Sequence, residues 1–360
     1  MMLLLLRRAL VVLAIVLVTW VAVGCESSKT EGADLRGVFD RKPLASGVSA
    51  SASAVATAKP KGSADAGPRI APLTRKPPAG PCLPPSGNPV AKLGRVARRP
   101  ACRRARVMEW QDENGMPRYA CLFAHRKSSE RTPLPLVLFF HGESDSPTAV
   151  HRKTKLRRHY GSLDLTGDPH HPGFLILAPQ GRRIAGQIAF DTDHVSVANV
   201  DVLTVDHFVA VLLSEGIVDH RQIYAMGESG GGAMAALYAM LRPRRIAAFG
   251  TYGAAPSQLV WSCEGRPPPA AIVYRACDAV TPCADVEQWL GARQDAQAPT
   301  LAVRLGAGKA TEPTCVLSKN RCRVKKGTAN HNRWPKGRET EMLEFMSRYS
   351  LAGPAGGITE

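Results

Sequence analysis

The stretch Ile223-Tyr224-Ala225-Met226-Gly227-Glu228-Ser229-Gly230-Gly231-Gly232 sets one serine among glycines in a G-x-S-x-G pattern. A short apolar run precedes it, and an alanine-rich segment, Ala233 to Leu241, follows as a good helix former. Strand, tight turn and helix in that order lift a serine hydroxyl clear of a sheet, where it can attack an electrophile. Glycines at 227, 230 and 231 are expected to let the turn strain and let neighbouring strands approach closely. The Gly230 amide, near the positive end of the helix, would receive the oxyanion formed by that attack. A chain with 32 glycines can also produce the pattern as an ordinary turn holding an incidental serine, so the surrounding elements must decide.

Those elements are legible. Leu134 to Phe140 is a continuous apolar run, the pattern of a strand covered on both faces, and Phe174 to Ala178 is a second, stopping at Pro179-Gln180-Gly181. Val200 to Glu215 has helical periodicity, with Val202, Val205, Phe208, Val209 and Leu212 on one side. Ile223 to Met226 reads as the strand before Ser229, and Ile246 to Tyr252 as the strand after its helix. Ala270 to Tyr274 and Thr300 to Leu305 read as further strands, and Glu339 to Tyr349 as a closing helix. Upstream, Arg106 to Trp110 and Arg118 to Ala124 flank Asn114-Gly115, a hairpin signal. Alternating strands and helices imply one α/β domain over residues 101–351, with a mostly parallel central sheet and helices on both faces. The expected fold class is that of the α/β-hydrolases, with the site beyond the carboxyl ends of the strands.

In that fold the triad follows the order serine, acid, histidine. Of ten histidines, nine precede Ser229 and one, His331, follows it, in a stretch expected to be a loop. A surface histidine is the ordinary reading of such a residue; its place beyond the serine selects it as the general base. The carboxylates between the two are Glu264, Asp278, Asp285, Glu287, Asp295 and Glu312. Asp278 directly follows a strand at the sheet's carboxyl edge, whereas Asp285 and Glu287 suit the first turn of the helix expected from about Ala284. Asp278 is therefore the expected acid. His141-Gly142 ends the first buried strand, and the loop after it supplies the second oxyanion amide in this fold. By position that amide is Glu143, with Ser144 as the fallback. His141, Ser144, Glu228 and Trp334 are expected around the substrate pocket.

Together these residues resemble the secreted esterases related to polyhydroxybutyrate depolymerases and feruloyl esterases. The resemblance spans roughly Arg106 to Tyr349. It rests on His141-Gly142, Ala178-Pro179-Gln180-Gly181, Asp206 and Phe208, Gly227 to Gly231, the Asp278-x-x-x-Pro282 turn, and His331 followed by Trp334-Pro335. The sequence departs from the family at Glu228, at Glu143-Ser144-Asp145, and in the spacing of His331 from Trp334. The resemblance implies a Ser229–His331–Asp278 triad acting on a small or polymeric ester, such as a polyhydroxyalkanoate oligomer or a feruloyl ester, through an acyl-enzyme. That chemistry needs no metal or organic cofactor. The alternatives are a serine peptidase-like hydrolase and a non-catalytic cell-envelope lipoprotein that retains the fold.

The first hundred residues belong to delivery. Arg7 and Arg8 precede an apolar run from Ala9 to Val23, and Ala22-Val23-Gly24-Cys25 resembles the lipobox of bacterial lipoproteins. Residues 1–25 are thus expected to be a lipoprotein signal with Cys25 as the lipid anchor, an uncleaved membrane anchor being the alternative. Residues 26–100, rich in Ala, Ser, Pro and Lys, read as a tether too poor in apolar surface to fold, and residues 352–360 as a tail. The expected location is the cell envelope of a bacterium, periplasmic or at the cell surface, and the expected state a monomer. The formal charge is +17, with basic runs at Arg98–Arg106 and Arg152–Arg158. No aromatic residues interleave these runs as a nucleic-acid surface would require, so they read as solvated faces or contacts to anionic headgroups. Setting Cys25 aside leaves eight cysteines, an even number that suits disulfides in an exported chain. No C-x-x-C pair suggests a metal site. Cys277 with Cys283 and Cys315 with Cys322 are the natural local pairs.

Overall fold

The apolar runs assemble into one eight-stranded sheet. In chain order its strands are β1 (Arg106–Gln111), β2 (Pro117–Phe123), β3 (Leu134–Phe140), β4 (Leu175–Pro179), β5 (Val218–Glu228), β6 (Ala248–Tyr252), β7 (Ala270–Arg275) and β8 (Thr300–Leu305). Their spatial order is β8-β7-β6-β5-β3-β4-β2-β1. Every neighbouring pair from β8 to β4 is parallel, and β2 alone runs against the rest. The computed structural model describes residues 97–124, 132–256, 266–306 and 324–351, together with Ala71–Pro72, Cys82–Leu83 and Trp261–Ser262. The expected signal segment with Cys25, most of the tether, Cys315, Cys322 and the tail lie outside the described residues. No described helix is long and apolar enough to cross a membrane. Two dipeptides inside the expected tether pair in parallel with later chain, Ala71–Pro72 with Tyr349–Ser350 and Cys82–Leu83 with Trp261–Ser262.

Alternation along the strands feeds two cores. Leu136, Leu138 and Phe140 of β3 join Ile223 and Ala225 of β5 on one face; Val137, Phe139, Tyr224 and Met226 point to the other. Helices cover both. On the first face pack α3 (Val200–Ser214), α4 (Gly230–Leu241) and α5 (Cys283–Asp295); on the second pack α1 (Ala149–Arg152), α2 (Leu156–His159) and α7 (Arg338–Met346). α3 buries Val202, Val205, Phe208, Val209 and Leu212, the stripe its periodicity dictates, and Asn199 caps it by accepting the Asp201 amide at 2.8 Å. This is the α/β-hydrolase architecture: the strand-turn-helix carrying Ser229 sits at the middle of the sheet, and the loop after β3 lies beside it.

The β1–β2 edge is secured by polar contacts and a disulfide. In the β1–β2 hairpin, Gly115 takes φ +70°, and Asp112 accepts the Asn114 and Met116 amides and an Arg118 Nε bond at 2.9 Å. A disulfide ties Cys102, ahead of β1, to Cys121 on β2. Cys277 and Cys283 each take part in a disulfide as well. His331 departs from expectation: it closes a helix, α6 (Val324–His331), instead of lying in a loop. Gly327, Thr328 and Asn330 are poor helix formers, so packing sustains α6. A Cβ on the buried Gly327 would lie 2.6 Å from that of Ala279, and only glycine lets the helix approach this closely.

Candidate active site

β5 delivers Ser229. The serine takes φ +51° and ψ −131°, a left-sided backbone conformation that is costly for a residue with a side chain and is found at functional turns. Its amide donates to the Tyr252 carbonyl at 2.9 Å, fastening the turn to β6. Cβ atoms on Gly227 and Gly231 would lie 2.3 Å from backbone carbonyl oxygens, those of Gly231 and of Phe140 and His141 respectively, so both positions require glycine. α4 starts at Gly230, whose amide has no acceptor within its own helix.

α6 and the turn after β7 bring in the other two residues. His331 Nε2 lies 2.7 Å from Ser229 Oγ. Its Nδ1 lies 2.9 and 3.1 Å from the two carboxylate oxygens of Asp278. With Nδ1–H donated to Asp278, Nε2 is left to accept the serine hydroxyl. His331 and Asp278 are buried, at 6% and 1% exposure, so little water competes for this chain of contacts. Asp278 is fixed from behind: its Oδ1 accepts the amides of Val280 at 2.8 Å and Thr281 at 2.9 Å. Thr281 Oγ1 donates to the Gly253 carbonyl, and Asn330 Nδ2 to the Cys277 carbonyl, both at 2.8 Å. The Tyr252 hydroxyl sits 2.7 Å from the Asn330 carbonyl and 2.6 Å from that of Arg333, bracketing His331. The structure brings together Ser229, Asp278 and His331, the residues singled out in sequence, and surrounds them with Tyr252, Gly253, Thr281 and Asn330, which were not. These are ordinary residues whose role exists only once the chain is folded.

The loop after β3 faces Ser229 from the other side. Ser144 is spent elsewhere: its amide donates to the Ile188 carbonyl at 2.7 Å, and its exposed hydroxyl to Gln187 Oε1 at 3.3 Å. The Glu143 amide meets no acceptor among the described residues. Glu143 leans over the start of α4, since a Cβ on Gly230 would lie 3.3 Å from Glu143 Cγ. The Gly230 and Glu143 amides are thus two donors beside the serine that meet no acceptor among the described residues.

Three residues expected around the pocket are placed otherwise. His141 is fully buried, its Nδ1 2.8 Å from the Gly142 carbonyl and its Nε2 accepting the Gly181 amide at 3.0 Å. Burial lowers its pKa to about 4, leaving a neutral ring. Trp334 packs against Phe139 and Tyr252 and donates its indole N–H to Glu339 at 3.0 Å, which makes it core. Glu228 is 2% exposed and turned toward Lys153, 2.6 Å away. A cavity of about 450 Å³, lined by Ala255, Pro256, Val280, Thr281, Asp285 and Trp289 among others, opens beside the Asp278 turn. A larger one of about 500 Å³ lies at the opposite, amino-terminal ends of β3 and β5 and is remote from Ser229.

No protein-family model matches the chain, and no curated protein does. Solved structures align with it. A thermostable esterase aligns with TM-score 0.45 and 17% identity over 69% of this chain and 64% of the other, so this chain spans just under two thirds of that protein. A thermophilic esterase of the Planctomycetes species Thermogutta terrifontis aligns with TM-score 0.45 and 16% identity, over 66% of this chain and 94% of that one. Esterase 2 of Thermogutta terrifontis phosphorylated by paraoxon aligns with TM-score 0.48 and 17% identity, over 69% and 94%. This likeness is one of architecture; the site rests on its own geometry.

Proposed function

We propose that this chain is a serine hydrolase that cleaves carboxylic esters. The observation that carries the reading is the continuous contact from Ser229 Oγ through the His331 ring to the Asp278 carboxylate, at 2.7 and 2.9 Å. His331 Nε2 takes the hydroxyl proton as Oγ bonds to the ester carbonyl carbon, and Asp278 stabilises the imidazolium so formed. The Gly230 and Glu143 amides receive the carbonyl oxygen as it becomes negative. Collapse of the tetrahedral adduct breaks the bond to the alcohol, which leaves with the proton held by His331. Water then gives its proton to the same nitrogen, attacks the acyl-enzyme and releases the acid. We place the apolar part of the ester in the cavity beside the Asp278 turn, where Val280 is 55% exposed. Within this class we favour the polyhydroxyalkanoate-oligomer and feruloyl esters that the sequence motifs suggest, and a protein exported and lipid-anchored at Cys25. A fluorophosphonate probe should give a single adduct on Ser229 that is absent from Ser229→Ala. Labelling that persists in the alanine variant would overturn the assignment. Turnover of short acyl esters, feruloyl esters and polyester oligomers but not peptides should then fix the substrate class.

A further inference from the structure

The basic run Arg152–Arg158 reads in sequence as a solvated face, yet Lys153 does not belong to that face. Its side chain is 26% exposed and points inward. The ammonium lies 2.6 Å from Glu228 Oε1 and 3.2 Å from Asp145 Oδ2, and both carboxylates are almost wholly buried. These partners sit on two different elements. Glu228 immediately precedes the nucleophile at the end of β5, and Asp145 lies two residues past Glu143 in the loop after β3. The Asp145 amide donates to the Gly142 carbonyl at 3.3 Å, so holding Asp145 also holds the Gly142–Glu143 peptide. The two elements touch there: a Cβ on Gly142 would lie 3.5 Å from both the Glu228 carbonyl and Ser229 Cβ, and 3.6 Å from Glu228 Oε1. Arg152 pairs with the other oxygen of Asp145, so two cations match two anions.

Given the hydrolase reading, on which this rests, we propose that Lys153 is a positioning residue of the oxyanion site. Its ammonium bridges the Ser229 strand to the Glu143 loop, sets the distance between the two donor amides, and cancels the field of two carboxylates that would oppose an oxyanion. The electrostatics run the same way. Burial works against the Lys153 ammonium, but Glu228 and Asp145 more than offset it and hold the lysine charged. Burial also leaves the Glu228 carboxyl harder to ionise than an ordinary glutamate, with Lys153 opposing that shift. Removing the lysine would therefore leave buried, uncompensated negative charge beside the reacting atoms.

Hydrolysis of p-nitrophenyl acetate and the rate of fluorophosphonate labelling, both on the full chain, test this. Lys153→Met should lower kcat on the order of 10- to 100-fold, less than outright loss of an oxyanion donor, with KM unchanged and labelling slowed by the same factor. Lys153→Arg, which keeps the charge, should recover most of the loss. Lys153→Met/Glu228→Gln should be less impaired than the product of its single variants, because the unpaired charge is gone. Should Lys153→Met fail to fold, Glu228→Gln, nearly isosteric, must show the lowered kcat at constant KM. Wild-type kcat in Lys153→Met, equal losses in the methionine and arginine variants, or additive singles would each overturn the proposal. A wild-type chain that does not label at Ser229 would instead sink the hydrolase reading, so the two failures are distinguishable.

Discussion

His331 and His141 lie on opposite sides of the serine, and their contrast shows what decides a histidine's work. Both are buried, at 6% and 0% exposure, and each has both ring nitrogens engaged. His331 faces a carboxylate on Nδ1 and a hydroxyl on Nε2, so a proton arriving at Nε2 finds a compensating charge across the ring. His141 faces a backbone carbonyl on Nδ1 and an amide on Nε2, with no carboxylate in contact, and burial pushes its pKa down to about 4. One ring can carry charge and the other serves as a neutral strut. The strut has a consequence of its own. Holding the Gly142 carbonyl on one side of the Gly142–Glu143 peptide turns the Glu143 N–H to the opposite side.

The contrast can be broken from either end. The largest effect should come from His331→Ala, which is expected to lower kcat by roughly 10⁶-fold, measured on p-nitrophenyl acetate with folding checked by circular dichroism. Asp278→Asn should cost about 10⁴-fold, because His331 then takes the wrong tautomer. His141→Gln should act on the oxyanion donor, lowering kcat by about 10²–10³-fold while KM stays constant. A change confined to KM would show that His141 lines the pocket after all.

The strut also sets a pH dependence of stability. His141 titrates near 6.5 when unfolded and near 4 when folded, so between these values the unfolded chain binds the extra proton. The His141 contribution is therefore fully present above pH 6.5 and is lost as pH falls toward 4, by about 3 kcal/mol. Urea midpoints across that range should show the slope, and His141→Gln should flatten it. The smallest effect belongs to the base side. Gly327→Ala improves helix propensity by about 1 kcal/mol but forces a Cβ onto Ala279, costing about 1–3 kcal/mol. A modest fall in melting temperature is expected.

How much was legible follows the same division. β3 was readable to the residue from an unbroken apolar run buried on both faces, β8 to its bounds, and α3 to its buried stripe from a period of 3.6. Ser229 was readable from its glycines, and His331 and Asp278 from chain order and strand ends. Partners set by tertiary packing were not. Lys153 looks like one more cation in a basic run, and nothing local distinguishes it from Lys155, which is exposed. α6 was unreadable because its glycine, threonine and asparagine argue against a helix that docking on Ala279 sustains. Trp334, read from motif proximity as a pocket residue, proved to be core for the same reason: proximity in sequence does not fix which way a side chain turns.

The Cys102–Cys121 bond gives the chain a direction in time. Its cysteines are 19 residues apart, and both precede Leu134, where the parallel strands begin. Given the export proposed above, a chain entering an oxidising compartment amino-terminus first can close its edge hairpin before the later strands arrive. Parallel strands joined by long crossovers assemble late, since each must wait for a distant partner. β2 is the strand on which β4 pairs antiparallel, so a covalently closed hairpin offers that late sheet a ready-made first edge.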